Sequence, residues 1–314
     1  MRVFVLYDNN GIHSGRRLGE ELAKRCTGKA EVYRGRPKRL VELQRRLKFD
    51  FIVNLGYFRA FDSKGAKVIN SPDAVARSSN KRRARQIFQN QKVPAPTLFM
   101  LPNSIGMMDF PVVGRTTHHT KGHGFWLCSN KQELTRSISG GATHWMKYIA
   151  NTREFRIHAF ASTLGTEVSA DDYAVLKLSE KLPDGPKAKR DAVVKNHDNG
   201  WIFTYPADKD DPILTIARRA GKQAVAALGL QFGAADVMVS VDDDKAYVLE
   251  VNSAPCLTDE QANTVEKYVD ALMSQMGLTQ ALQPKRHDTK TVVAAQKQLN
   301  KRALGRFLAK KNIV

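Results

Sequence analysis

The stretch "FGAADVMVSVDDDKAYVLEVN", residues 232 to 252, constrains this chain more than any other. Two apolar, β-branched runs flank an Asp-rich turn, which predicts a β-hairpin. Side chains alternate between the faces of a strand, so Glu250 and Asn252 project to one side of a strand that otherwise reads as core. Asp236 lies in the preceding strand. A three-residue loop over Asp242 to Asp244 sets it directly opposite Glu250 and on the same face, whereas a slip of one residue turns it away. Two carboxylates held that close repel and raise each other's pKa. A divalent cation removes the conflict, and an all-oxygen set suits Mg²⁺, which usually keeps positions for substrate phosphates. The competing reading is a solvent-facing hairpin with acidic residues near its turn. "VDDDK" itself reads as ordinary turn chemistry.

A cation of that kind needs a phosphate partner, and "RTTHHTKGHGFW" offers a place for one. Gly122 and Gly124 fall in a loop between two strands, where backbone N–H groups can approach phosphate oxygens. Thr117, Thr120 and Lys121 add side-chain donors. Two alternatives stand beside this: a plain surface loop, and a metal site built from His118, His119 and His123. The glycines on either side of His123 argue against the helix that the His119/His123 spacing needs.

The rest of the chain supplies a frame. In residues 1–75, the strands "RVFVLY", "AEVYRG", "FDFIVNLG" and "KVIN" alternate with the helices "SGRRLGEELAKR" and "RLVELQRRLK". The first helix has Ser14 as its expected N-cap and Leu18 and Leu22 on one face. Such alternation predicts a parallel, Rossmann-like sheet, but no GxGxxG accompanies it, so no dinucleotide site is indicated. "SSNKRRARQIFQNQKVPAPTLF" reads as a capped helix ending near Gln91 and an extended Pro segment. "THWMKYIANTREFRIHAFAS" gives two strands around a short connector, and "EVSADDYAVLKL" another strand. Residues 179–200 read as a charged loop. "PILTIARRAGKQAVAALGL" is a strong helix stopping near Gly229, and "EQANTVEKYVDALMSQMG" a closing helix.

Charge and cysteine usage narrow the setting. Fifty Lys and Arg against 31 Asp and Glu give a formal charge of +19, which favours anionic partners without choosing among nucleotides, acidic peptides, nucleic acid and lipid. From residue 283 onward nine Lys/Arg face the single acidic Asp288, so 283–314 reads as a basic tail. Three dispersed cysteines, Cys26, Cys128 and Cys256, exclude a disulfide framework and point to a reducing, cytoplasmic setting. No apolar run approaches the roughly 18 residues of a membrane span, and the first residues lack the pattern of a signal peptide.

Taken in order, "NKRRARQIFQNQKVPAPT", "FPVVGRTTHHTKGHG", "MKYIANTREFRIHAF" and "GLQFGAADVMV…YVLEVNSAPCL" resemble the ATP-grasp carboxylate–amine ligases. That group includes D-alanine–D-alanine ligase, glutathione synthetase and the ribosomal-protein glutamate ligase. The resemblance spans residues 1–280, and a closer similarity is to phage-encoded amidoligases of this fold. It implies an α/β fold, α+β in the catalytic part: a Rossmann-like N-terminal unit (1–76) and two α+β units clasping ATP (77–147 and 148–282).

The resemblance also implies residue roles. Lys81 matches the first nucleotide-binding lysine, and Arg115 falls where most members place a second, a change that trades a point charge for a planar fork. Thr120, Lys121, Gly122, His123 and Gly124 match the phosphate lid. Lys147, Tyr148 and Ile149 match the hinge whose backbone reads adenine, and Glu154 the acid that binds ribose. Asp236, Glu250 and Asn252 match the ligands of one or two Mg²⁺ ions, with Mn²⁺ as a substitute. The D-alanine ligases carry an arginine two residues before the first metal acid, but Ala234 stands there in this chain. An oxyanion-stabilising cation must come from elsewhere. Arg156, which shares a strand face with Glu154 and His158, is the first candidate, followed by Lys177, Arg190, Lys195 and Asn196.

The implied reaction forms an amide or peptide bond through an acyl phosphate, with release of ADP and phosphate. The carboxylate and amine substrates are read as an amino acid or an acidic peptide or protein. Two rival readings remain: a basic nucleic-acid-binding protein, though no RNP, zinc-finger or helix-turn-helix signature accompanies the charge, and a non-catalytic ATP-binding scaffold. The oligomeric state, a homodimer included, stays open.

Overall fold

The computed structural model describes the chain apart from residues 118–123, 151, 166–167, 187, 190–192, 258–262 and 280–314. Thr120, Lys121, Gly122 and His123, expected to form a phosphate lid, the candidate cation Arg190 and the basic tail all lie outside the described residues.

The first unit contains β1 (Arg2–Tyr7), α1 (Ile12–Arg25), β2 (Glu31–Gly35), α2 (Pro37–Leu43), β3 (Phe51–Leu55) and β4 (Lys67–Ile69). Its strands are all parallel, in the order β2-β1-β3-β4, as the alternation predicts. Leu18 and Leu22 of α1 bury against Val3, Val5 and Val53, while Phe4, Leu6 and Ile52 pack on the other face with Leu40 of α2. The expected N-cap at Ser14 is not one. The chain enters α1 through a short 3-10 turn, Asn9–Gly11, capped by Asp8, so the helix already runs at Ile12. Ser14 is buried within it and serves a distant segment: its Oγ accepts the Leu257 N–H at 3.1 Å.

Two successive helices follow, α3 (Pro72–Ser79) and α4 (Lys81–Asn90). Only the second is legible as a helix in the sequence. They break at Asn80, whose extended backbone stops α3 while its side chain accepts the Arg83 N–H at 3.0 Å and so caps α4.

A small antiparallel sheet is formed by β5 (Leu98–Phe99), β6 (Val112–Arg115), β7 (Phe125–Cys128) and β8 (His144–Lys147), in the order β5-β8-β6-β7. It packs on α5 (Lys131–Ser139), through Leu134 against Val112, Cys128 and Trp145.

The larger sheet comprises β9 (Thr152–Ala161), β10 (Tyr173–Pro183), β11 (Trp201–Thr204), β12 (Phe232–Ser240) and β13 (Ala246–Asn252), in the order β11-β10-β9-β12-β13. The expectation of a loop from residue 179 is corrected here. β10 runs on to Pro183, because Glu180 and Lys181 pair with Phe155 and Glu154 on one side and with β11 on the other. Helix α6 (Pro212–Ala227) covers one face, where Phe155, Ile157, Ala235, Val237, Val248 and Val251 meet Ala217, Ala220 and Ala224. On the opposite face Phe160 and Phe232 pack against Tyr268 of α7 (Thr264–Gln275), which joins this sheet to the core of the parallel one.

The hairpin reaches its expected pairing by an unexpected route. Ser240 and Lys245 close a four-residue loop, and Val239, Met238 and Val237 then pair with Ala246, Tyr247 and Val248. That register would place Asp236 opposite Leu249. A β-bulge between Val237 and Asp236 sets Leu249 out of step, and Asp236 pairs with Glu250 after all.

Buried asparagines tie the units together. Asn70 Nδ2 donates to the Phe232 carbonyl, its Oδ1 accepts the Phe232 N–H, and Asn54 Nδ2 donates to the Asn70 carbonyl. Gly56, just past β3, has φ +82, and a Cβ there would lie 2.7 Å from the Ala254 Cβ. The segment leaving β13 therefore rests on the carboxyl end of the parallel sheet, the edge at which open α/β sheets bind ligands.

Candidate active site

On the face of the larger sheet away from α6, the strand registers set polar side chains in rows. Phe203, Lys181, Glu154 and Met238 form one row, Ser179, Arg156, Asp236 and Glu250 the next, and Lys177, His158, Ala234 and Asn252 the third. Each row is a chain of cross-strand neighbours, so a choice of residue on one strand fixes the environment of the next.

The middle row is the most tightly joined. Arg156 Nε donates to Asp236 Oδ1 at 2.7 Å and its Nη2 to Oδ2 at 2.8 Å, a bidentate pair. Phe203 covers the guanidinium, its ring centre 4.3 Å from Cζ. Burial opposes the charge of Arg156, but Asp236 outweighs it and raises its pKa. The Glu250 carboxylate forms an ion pair with Lys81, the first residue of α4, and accepts the Asn252 Nδ2–H at 3.3 Å. Burial pushes the Glu250 pKa up, yet Lys81 foremost, with Asn252 and Arg156, holds it below the ordinary carboxylate range. Sequence reasoning places Asp236, Glu250 and Asn252 on one face, and the structure brings them together with Lys81.

Glu154 sits between two lysines, with Lys181 Nζ at 2.8 Å from Oε2 and Lys195 Nζ at 3.7 Å from Oε1. Lys195 also donates to the Thr152 carbonyl at 2.7 Å. Asn196 is turned to a local task, its Oδ1 accepting the Asn199 N–H at 2.9 Å as the cap of a 3-10 turn. Lys177 is buried beside His158. His158 is itself buried, its Nδ1 3.0 Å from the Tyr268 hydroxyl, and burial together with Arg156, Lys177 and Lys267 lowers its pKa to about 3. It is a neutral imidazole.

The small sheet faces this cluster through Arg115, which ends β6 and stacks over Phe125 with 5.4 Å from Cζ to the ring centre. Burial lowers the Arg115 pKa, and Glu250 opposes the change. Gly124, just before β7, has φ +61, and a Cβ there would lie 2.6 Å from Thr116 Oγ1, so the chain on leaving β6 and on entering β7 runs too close for a side chain at this position. Thr117 Oγ1 lies 2.9 Å from Thr143 Oγ1. Lys147 to Ile149 lead from the small sheet to the large one. Lys147 Nζ donates to the Asp109 carbonyl at 2.7 Å, and the N–H groups of Lys147 and Tyr148 bond to the Thr97 and Pro111 carbonyls.

The chemistry of the donor set fits a hard divalent cation. Among the described residues no group of three His, Cys, Asp or Glu side chains could hold a metal. Asp236, Glu250 and Asn252 instead offer two carboxylates and a carboxamide, too few to complete octahedral coordination and therefore suited to a cation shared with phosphate oxygens. Arg85, missed in the sequence, belongs to the same cluster. It lies one turn beyond Lys81 on the buried face of α4, and burial lowers its pKa to about 10. The spacing of four residues from Lys81 was the available signal. Lys181 and Phe203 were also missed: Lys181 sits in the stretch read as a loop, and Phe203 just beyond it in a short strand, Trp201–Thr204, that the sequence pattern does not mark.

Among the described residues no helix is long and apolar enough to cross a membrane. No protein-family model matches the chain, and no curated protein matches it significantly. Solved structures do match. The D-alanine–D-alanine ligase from Bacillus anthracis is 15% identical at a TM-score of 0.64, over 95% of this chain and 99% of that one. The N5-carboxyaminoimidazole ribonucleotide synthetase from Thermotoga maritima is 13% identical at 0.61, over 88% and 76%. The ATP-grasp ligase PsnB complexed with minimal precursor is 13% identical at 0.59, over 87% and 98%. The fold of this chain is the ATP-grasp fold.

Proposed function

We propose that the chain is an ATP-dependent carboxylate–amine ligase. The observation that carries this reading is the convergence of Asp236, Glu250 and Asn252 on one sheet face with Lys81 at Glu250. Ligases of the same fold have been solved with ATP, in the Bacillus anthracis enzyme, and with Mg and ADP, in PsnB. The three separate sheets support reading residues 1–76, 77–147 and 148–282 as three units with the nucleotide between the last two.

In this reading Lys81 and Arg115 hold the triphosphate, and the loop ending at Gly124 covers it and excludes water. The connector at Lys147 to Ile149 lies beside the adenine. Two of its N–H groups are already spent on the sheet, which leaves Ile149 as the backbone donor and the connector's carbonyls as acceptors. Glu154, held between Lys181 and Lys195, takes the ribose hydroxyls. When bound at Asp236, Glu250 and Asn252, Mg²⁺ supplies charge neutralisation at the phosphoryl group being transferred. A carboxylate is a poor acceptor for an amine, because its leaving group would be an oxide. Moving the γ-phosphoryl onto it gives an acyl phosphate, from which phosphate departs when the amine attacks. Arg156 is anchored to Asp236, so it positions that carboxylate and adds positive potential beside the reacting centre. Lys177 is the next cation in that field. The surplus of basic residues favours an acidic acceptor.

The test is ADP release by the purified protein with ATP and Mg²⁺ across a panel of amino acids and acidic peptides. Glu250→Gln should lower turnover by at least about a hundredfold. Absence of ATP binding by the wild-type protein, or undiminished turnover in Glu250→Gln, overturns the reading.

A further inference from the structure

Arg85 differs from the half-buried arginines of the large sheet. Arg153 is paired with Glu180, its Nε 2.6 Å from Oε1, and Arg156 is paired with Asp236. Arg85 is 6% exposed, and its Nε and Nη1 are buried without a hydrogen-bond partner. A buried cation with unmet donors is destabilising, and among the described residues no carboxylate bonds to those two nitrogens; Glu250 favours the charge without meeting them.

Its position says what could. Long side chains on a helix run back toward the N-terminus, over the preceding turn. From the second turn of α4, Arg85 therefore reaches toward Lys81 and the carboxylate that Lys81 holds. Helix α4 packs against β13, the strand that carries Glu250, and the electrostatic neighbours of Arg85 are Glu250 and Arg115. Lys81, Arg85 and Arg115 thus gather around one carboxylate, which leaves an excess of positive charge among these four groups. A polyphosphate has the charge and the number of acceptor oxygens to balance it.

We propose that Arg85 is a phosphate-contacting residue of the nucleotide site, donating from its guanidinium to an oxygen of the bound nucleoside triphosphate. This rests on the ATP-dependent reading above. The phosphates complete a guanidinium that the fold leaves unsatisfied, so nucleotide binding also stabilises α4 against β13.

The test compares wild type with Arg85→Met by calorimetric titration of ATP, ADP and AMP and by thermal melting without ligand. Arg85→Met should bind ATP and ADP about tenfold more weakly, with AMP within about twofold of wild type, since the contact is to the outer phosphates. Its ligand-free melting temperature should equal or exceed that of wild type, because an uncompensated charge has been removed. If Arg85→Met is poorly folded, Arg85→Gln, which keeps polar donors at similar length, takes its place in the titration. Arg85→Lys should recover part of the loss. Unchanged ATP and ADP affinity in a folded variant overturns the proposal, as does an equal loss for AMP. If the wild-type protein binds none of the three nucleotides, the ligase reading falls as well, so the two failures are distinguishable.

Discussion

Strand β9 presents Phe155, Ile157 and Ala159 to α6, and from the same ten residues presents Glu154, Arg156 and His158 to the opposite side. The first face is held by apolar burial, which has no direction and tolerates repacking. The second is held by pairs: Arg156 with Asp236, Lys181 with Glu154, and Lys81 with Glu250. Pairs of this kind are directional, and removing one partner leaves the other buried with its charge unmet. The comparison therefore separates a face that determines whether the sheet folds from a face that determines where charges sit.

The largest effect should come from the apolar side. Phe155 is 1% exposed, and Phe155→Ala should lower stability by about 3–5 kcal/mol. In urea this appears as a lower midpoint with an unchanged slope. No second substitution on the polar face should restore it. An effect below about 1 kcal/mol would mean that α6 collapses into the gap and that the apolar face is less rigid than its packing implies.

Arg156→Met comes next, at about 2–4 kcal/mol, because Asp236 is left partly buried without its bidentate partner. Here a second change should help. Asp236→Asn combined with Arg156→Met removes the orphaned charge, so the double variant should be more stable than Arg156→Met alone. Additive losses in a double-mutant cycle would contradict the pairing and blur the contrast between the faces.

Much of this was legible in the sequence, for identifiable reasons. Period-two and period-four patterns gave the parallel sheet, α4, α6 and the hairpin, because burial writes directly into spacing. The facing of Asp236 and Glu250 was legible too, but through two compensating errors: the loop has four residues, and the bulge at Leu249 restores the phase. A bulge depends on backbone geometry that composition does not encode. Ser14 reads as a cap because capping is a local preference, whereas its partner, the Leu257 N–H, is 243 residues away. Lys181 was hidden because the second half of β10 is rich in charge and is held as strand by pairing with β9 on one side and β11 on the other, and Phe203 because β11 is only four residues long and pairs with that same charged stretch. Arg85 was hidden among the arginines of α4, where only its four-residue spacing from Lys81 distinguished it from Arg82 and Arg83.

His158 marks the boundary between the two chemistries and yields the smallest effect near neutral pH. Toward β9's end the polar face turns apolar at Phe160, which stacks on Phe232 under Tyr268. His158 stands just before that point, and burial with Arg156, Lys177 and Lys267 lowers its folded pKa to about 3, against an ordinary value of 6.5. Between these values the unfolded chain binds a proton that the folded one refuses. Its contribution is therefore fully present above about pH 6.5 and declines as pH falls toward 3, with a limiting slope of about 1.4 kcal/mol per pH unit. Unfolding midpoints measured from pH 7.5 to 4.5 should fall accordingly, and His158→Asn, which cannot titrate, should flatten the profile above pH 5. Glu250, whose folded pKa is held below the ordinary carboxylate value, adds its own loss only at lower pH, as the carboxylates begin to protonate in the unfolded chain. A wild-type profile that is flat from 6.5 to 5 would show that His158 accepts a proton in the folded state, and the polar face would then extend one row deeper under α7.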